Sequence, residues 1–278
     1  MPELPEVETV AGGLREAGVC GLAVCATRVS WPRTLAGLSL AAFDRGLKGR
    51  SIADIQRRAK YIVIRLDPAL WLLIHLRMTG HLSVEPADAP RDPHERVAVV
   101  LDDGREIRFR DTRKFGRWVL TEDPASVLGS LGPEPLSPDF KPSPFYRLLH
   151  AHARMLKPML LDQRVVAGLG NIYVDEALWE ARLHPCRSSR TLTMADCRRL
   201  HRAIRAVLQR GLDAGGTTLG RGVANFYSVA GRRGRNQDGL RVFRRQGEAC
   251  QRCGTVIRRQ IVAQRSTHLC PRCQRSIP

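Results

Sequence analysis

Pro2 and Glu3 are the residues at the start of the chain that could do chemistry together. Pro2 is small, so removal of Met1 is expected, which would leave a secondary amine as the terminus. An α-amino group titrates at roughly 7.7–8.0, against about 10.4 for lysine, so much of it is uncharged and nucleophilic at neutral pH. A secondary amine that attacks an aldehyde-level carbon gives a cationic iminium, the electron sink of Schiff-base catalysis. Glu3 is then a candidate proton donor or acceptor. Met-Pro is also an ordinary way for a chain to begin, so the pair gains weight only from its surroundings. A second group is Cys250-Gln-Arg-Cys253 and, 16 residues on, Cys270-Pro-Arg-Cys273. Two CxxC pairs at this spacing read as a tetrahedral four-cysteine site for one Zn2+. Such a closed site leaves no coordination position for a substrate, so the metal is structural. Cys20, Cys25, Cys186 and Cys197 have no comparable spacing and read as simple buried thiols.

The charge balance names a partner. The 278 residues carry 45 Lys+Arg against 27 Asp+Glu, a formal +18. From Arg241 onward there are 9 arginines, no lysine and one acid, Glu248. A stretch this basic neutralises phosphates and releases their counterions, which points to nucleic acid. No apolar run approaches the ~18 residues of a membrane span. Glu3, Glu6 and Glu8 have the wrong sign for a secretory or transit signal, so a cytoplasmic, nucleoid-associated location is expected.

The elements that must position these groups follow from periodicity. Residues 5–18 read as a helix: Pro5 suits the first helical position, Glu6 and Glu8 suit the positive end of the dipole, and Val7, Val10, Ala11 and Leu14 share a face. That helix would hold the terminal amine in a fixed place. From about 22 to 122 the pattern is strand-like, with a hairpin signal at Asp103-Gly104, and predicts a β-sandwich or barrel. A proline-rich linker follows Gly132, and helical periodicity takes over after it. A helix is expected to start at Thr193, with Asp196 in a capping-box position. Residues 220–240, rich in glycine and arginine, read as a loop. The expected fold is therefore α+β and multidomain, divided 1–132 (N-terminal β-sandwich with flanking helices), 133–240 (helical) and 241–278 (zinc ribbon).

Several segments, in order along nearly the whole chain, resemble the formamidopyrimidine-DNA glycosylases. They are Pro2-Glu3-Leu4-Pro5-Glu6, Arg57-Arg58-Ala59-Lys60-Tyr61, Ile74-His75-Leu76-Arg77-Met78-Thr79-Gly80, Asp111-Thr112-Arg113-Lys114-Phe115-Gly116, Gly168-Leu169-Gly170-Asn171 and Gly215-Gly216-Thr217-Thr218. The N-terminal form is similar to this branch rather than to the related endonuclease VIII branch. The resemblance implies a bifunctional base-excision repair enzyme, acting as a monomer on double-stranded DNA that contains oxidised bases or abasic sites. It would remove oxidised purines and nick the strand by β,δ-elimination.

Residue by residue, the resemblance implies Pro2 as the nucleophile at the sugar C1′, Glu3 as its acid/base and Lys60 as a catalytic lysine near the lesion's phosphate. Arg265, between the zinc knuckles, would grip phosphate and assist elimination. Met78, Arg113 and Phe115 would fill the gap left by the flipped nucleotide, although by spacing alone core packing is the stronger reading of Met78 and Phe115. Glu6, His94, His152, Lys157 and Glu176 match positions at or supporting the DNA interface. Asn171 reads as the N-cap of a helix–two-turn–helix element whose N-terminus faces phosphate. Two features depart from the family pattern: the loop opens Gly220-Arg221-Gly222-Val223 without its usual acidic stretch, and His152 stands where relatives place a lysine. Two other readings stay open. One is the same chemistry on oxidised pyrimidines, and the other is a catalytically silent zinc-ribbon DNA-binding protein.

Overall fold

The computed structural model describes residues 1–220 and 225–276. They pack into two compact units. The first joins Met1–Ser130 to Ala214–Arg235, and the second joins Leu131–Asp213 to the chain from Asn236 onward.

The first unit begins with helix α1, Leu4–Glu16. Strand β1 (Val24–Val29), helix α2 (Leu40–Leu47) and strands β2 (Ser51–Arg58), β3 (Tyr61–Asp67), β4 (Leu70–His75), β5 (Gly80–Pro86), β6 (Glu95–Leu101), β7 (Arg105–Asp111) and β8 (Arg117–Thr121) follow. They form two antiparallel four-stranded sheets, ordered β1-β6-β7-β5 and β2-β3-β4-β8. Alternation decides which face is buried. Along β3, Ile62, Ile64 and Leu66 point into the core while Arg65 is exposed. Val97, Val99 and Leu101 from β6 and Ile107 and Phe109 from β7 face them from the other sheet, with Trp118 from β8 and the apolar face of α1 in the same core. Each such side chain contributes roughly 1.5–3 kcal/mol of burial. Between β6 and β7 the chain reverses at Asp102-Asp103-Gly104, where Gly104 adopts a φ of 83°. The fold is thus the expected β-sandwich. The segment after Ala214 returns to it: Phe226 and Val229 belong to the same core.

In the second unit, short helix α3 (Ala125–Leu128) having closed the first, the chain forms α4 (Pro142–His150), α5 (Leu156–Leu161), α6 (Asn171–Glu180) and α7 (Met194–Asp213). The start of α7 is as expected: Thr193 Oγ1 accepts from Asp196 N–H at 3.1 Å and Asp196 Oδ2 accepts from Thr193 N–H at 3.2 Å. Helix α6 is buried on all sides from Ile172 to Trp179, Asp175 and Glu176 included. A buried helix with two carboxylates must satisfy them internally. Both do so on the terminal module, whose hairpin is β9 (Arg258–Val262) and β10 (Arg265–Leu269). The loop expected to cover 220–240 includes residues 221–224, which lie outside the described residues; its end forms a 3-10 turn at Asn236–Gly239.

Candidate active site and nucleic-acid interface

The N-terminus is held by a carboxylate beneath it. Glu6, 1% exposed, accepts from Glu3 N–H through Oε2 at 2.8 Å and from Thr217 N–H through Oε1 at 2.6 Å. Glu3 and Glu6 form a reciprocal capping box at the start of α1. Gly216 makes this possible: its φ is +87°, and a Cβ there would lie 3.0 Å from Glu6 Cγ. Pro2 and Glu3 are buried beside this clamp. Lys60, also buried, sits in the two-residue turn between β2 and β3, after Ala59 at φ 52°. An ion pair ties α1 to that turn: Arg57 Nε reaches Glu8 Oε2 at 2.9 Å, and Arg57 Nη1 donates to Ala59 O at 3.1 Å. Burial, with the nearby cations Arg77 and Lys60, holds the His75 imidazole down to about 3. Its Nδ1 accepts Arg77 N–H at 3.0 Å, so the neutral ring carries its proton on Nε2.

In the turns that precede β5 and follow β7, an apolar group stands in solvent. Met78 is 40% and Phe115 45% exposed. Arg113 binds both: its guanidinium carbon is 4.8 Å from the Phe115 ring centroid and its Nη1 is 3.0 Å from the Met78 sulfur. Neither apolar side chain belongs to the core. The turn that carries Arg113 and Phe115 hangs on buried Asp111. Its Oδ1 accepts from Arg113 N–H at 3.2 Å and from the Thr79 hydroxyl, and its Oδ2 accepts from Gly116 N–H at 2.7 Å. Gly116 has no room for a side chain, since a Cβ would come within 2.3 Å of Phe109. The Asp111 carbonyl accepts Arg96 Nε at 3.0 Å, and Arg96 also meets His94 Nδ1 at 3.1 Å, so His94 is braced to the same turn.

In the second unit, one backbone carbonyl gathers two of the expected residues next to a third. Ser266 O accepts Lys157 Nζ at 2.9 Å and Asn171 Nδ2 at 2.9 Å, and Ser266 follows Arg265. Lys157 is fully buried and paired with Asp175 Oδ1 at 2.6 Å. Asp175 Oδ2 accepts His268 N–H at 2.9 Å. Asn171 is the first residue of α6, and Gly170, not Asn171 as expected, takes the N-cap. The Asn171 Oδ1 is buried without a hydrogen-bond partner. Glu176 accepts the N–H groups of Arg241, Val242 and Phe243, each at 2.9 Å; burial pushes its carboxyl upward and these three bonds oppose the rise. Arg265 itself is exposed, just after a hairpin turn in which Ala263 (φ 46°) and Gln264 (φ 61°) are both left-handed. His152 is exposed in the α4–α5 connection.

The four cysteines fit zinc. Their Sγ atoms all lie within 4.8 Å of one another, with Cys253–Cys270 at 3.4 Å and Cys250–Cys273 at 4.0 Å. A tetrahedron with Zn–S bonds of about 2.3 Å has edges of roughly 3.8 Å. The Thr255 side chain and backbone pull the Cys253 thiol down to about 6, while burial and the neighbouring sulfurs push Cys273 up to about 12. Four thiols this close cannot ionise together without a cation among them. Cys250, Cys253, Cys270 and Cys273 would hold one structural Zn2+, which would fasten the two knuckles beneath the hairpin.

Three domain descriptions match in order: Formamidopyrimidine-DNA glycosylase N-terminal domain over residues 1–118, its H2TH domain over 131–222, and the zinc finger found in FPG and IleRS over 247–275. Curated formamidopyrimidine-DNA glycosylases of Herpetosiphon aurantiacus and Protochlamydia amoebophila are 47% and 43% identical, each over 99% of this chain and 100% of the relative. The chain belongs to the formamidopyrimidine-DNA glycosylase family. A solved Lactococcus lactis FPG mutant bound to Fapy-dG-containing DNA superposes with a TM-score of 0.91 at 36% identity. The Lactococcus lactis Fpg bound to abasic-site DNA gives 0.90 at 35%; each match covers 99% of this chain and 100% of the other. Among the described residues, no helix is long and apolar enough to cross a membrane.

For a glycosylase of this family, the sequence reading missed the supports. Asp111, Asp175 and His75 each lie inside a quoted motif or beside a chosen residue. Asp111 had one available signal: an aspartate at a strand end followed by a Thr-Arg-Lys-Phe-Gly turn is placed to accept the turn's amides. Nothing local marks Asp175, which is legible only once α6 is known to be buried.

Proposed function

We propose that this chain removes oxidised purines, 8-oxoguanine and formamidopyrimidines among them, from duplex DNA and then nicks the strand. The observation that carries this reading is the Glu6 clamp, which fixes a buried Pro2-Glu3 terminus in the same unit as buried Lys60 and the exposed Met78–Arg113–Phe115 group. After Met1 is removed, the Pro2 nitrogen attacks C1′ of a nucleotide turned out of the helix, and the damaged base leaves. Glu3 supplies a proton to the sugar as its ring opens, which gives the iminium. The iminium acidifies C2′–H; loss of that proton expels the 3′ phosphate, a second elimination expels the 5′ phosphate, and water releases Pro2. Lys60 and Arg265 balance phosphate charge near the sugar. Met78 and Phe115 replace the lost stacking, and Arg113 pairs with the base left opposite. Glu6, Lys157, Asn171 and Glu176 serve this interface mainly by holding Pro2, the Arg265 hairpin and the zinc module in place; His94 and His152 contact the backbone. The division into a catalytic domain (1–132), a helical DNA-binding domain (133–240), whose stretch 214–235 packs with the first, and a zinc finger (241–278), and residence on the nucleoid, belong to the same proposal.

Borohydride reduction with 8-oxoguanine duplex tests it. The expected product is a covalent adduct whose tryptic map places the DNA on Pro2. A Glu3→Gln variant should bind the duplex yet lose base removal. No adduct with any damaged or abasic duplex would leave only a DNA-binding protein, and faster turnover on thymine-glycol duplex would transfer the chemistry to oxidised pyrimidines.

A further inference from the structure

Beside the zinc site the second unit concentrates positive charge. Cys253 and Cys273 line a groove of about 550 Å³ whose other walls are Arg182, Arg252, Arg272 and Arg275, with no acidic side chain among them. Arg252 is fixed there. Its guanidinium carbon lies 3.8 Å from the centroid of Trp179, and its Nη1 donates to the Trp179 carbonyl at 2.8 Å. The indole N–H of the same tryptophan points at Cys250 Sγ, 3.4 Å away. A cation over the ring makes that N–H a stronger donor, so Arg252 acts on a third sulfur through Trp179. Arg182 follows α6 in the left-handed region, at φ 55°, and its N–H also bonds the Trp179 carbonyl, at 3.1 Å.

Zinc bound by four thiolates is an anion with a double negative charge. Two of its sulfurs, Cys253 and Cys273, lie in the same wall as the four guanidinium groups, so the metal-bound cluster is an anion the fold itself places among them. We propose that Arg182, Arg252, Arg272 and Arg275 are the counter-charges of the zinc–tetrathiolate. They offset the charge of the cluster, make its sulfurs poorer nucleophiles and so slow the loss of the metal. This rests on the four-cysteine zinc reading and is independent of the base-excision chemistry.

The test uses the full chain loaded with one zinc per molecule. Metal release to excess pyridylazoresorcinol is followed by colour, and alkylation of the four cysteines by iodoacetamide by mass spectrometry. Neutralising the groove in R272Q/R275Q should speed both reactions roughly tenfold or more. Added salt should accelerate the wild type towards the variant. R272K/R275K should restore slow release, because charge rather than the guanidinium fork is required. R190Q/R258Q, which removes the same charge at two exposed positions, should behave as wild type. Release from R272Q/R275Q within twofold of wild type, or equal acceleration in R190Q/R258Q, overturns the proposal. If R272Q/R275Q cannot be loaded, loading of R272K/R275K upholds the proposal and its failure to load overturns it.

Discussion

Asp111→Asn isolates the support of the exposed Met78–Arg113–Phe115 group without changing its shape. The native carboxylate accepts three donors: Arg113 N–H at 3.2 Å, Gly116 N–H at 2.7 Å and the Thr79 hydroxyl. Asparagine keeps one oxygen. If its amide nitrogen takes the Oδ2 position, it confronts the buried Gly116 N–H. If it takes the Oδ1 position, the hydroxyl can rotate to accept from it, and Arg113 N–H keeps only the Thr79 oxygen, 3.2 Å away. Bonds to a charged acceptor contribute about 1.5–3 kcal/mol each, and a stranded buried donor costs about 1–3 kcal/mol. The expected loss is therefore about 2–4 kcal/mol. Urea unfolding followed by tryptophan fluorescence reads it directly, since Trp31, Trp71 and Trp118 all lie in the sandwich unit. The same variant should lose discrimination between bases opposite the lesion, because Arg113 and Phe115 no longer share one fixed turn. A change in stability below about 0.5 kcal/mol, with opposite-base preference intact, would refute the reasoning.

His75 gives a pH prediction. Its folded-state value of about 3 lies below the ordinary 6.5, so between them the unfolded chain binds the extra proton and stability falls as pH drops through that window. The full span is worth at most about 5 kcal/mol. His75→Gln should flatten the stability profile between pH 6 and 4, and parallel profiles for the two proteins would contradict the buried neutral imidazole. Phe115→Ala should weaken binding of lesion duplex roughly ten- to a hundredfold, the worth of one lost base–aromatic stack, with little change in folding stability because the ring is 45% exposed. Cys253→Ser should release zinc and lower DNA affinity; zinc content and binding equal to wild type would show that the cysteine is not a ligand.

The sequence made the local signals plain and the return contacts opaque. Pro5 near the start of α1, the Thr193–Asp196 pair and the Asp-Gly reversal each act within a few residues of themselves, and each is found where its spacing put it. The cysteine spacing works the same way, because a knuckle is a local turn; Cys20 and Cys25, outside any such pattern, are exposed rather than buried as expected. Segment 214–235 was illegible as part of the sandwich unit: it has no period, and its anchoring rests on Phe226 and Val229 amid glycine and arginine. The exposure of Met78 and Phe115 could not be read either, since an apolar residue at a strand end looks the same whether its side chain turns inward or outward. Asn171 misled because asparagine is a strong capping residue, yet the extended Gly170 before it takes that position and leaves the Asn171 side chain to bond Ser266.

The Glu6–Thr217 bond also has a consequence in time. Its partners are separated by 211 residues. A chain leaving the ribosome at about 5–20 residues per second exposes its first helix roughly ten to forty seconds before Thr217 is made. During that interval the sandwich strands can pair, but the N-terminal end lacks the fastening that Thr217 supplies. The end of the chain that is synthesised first is thus among the last parts to be fastened.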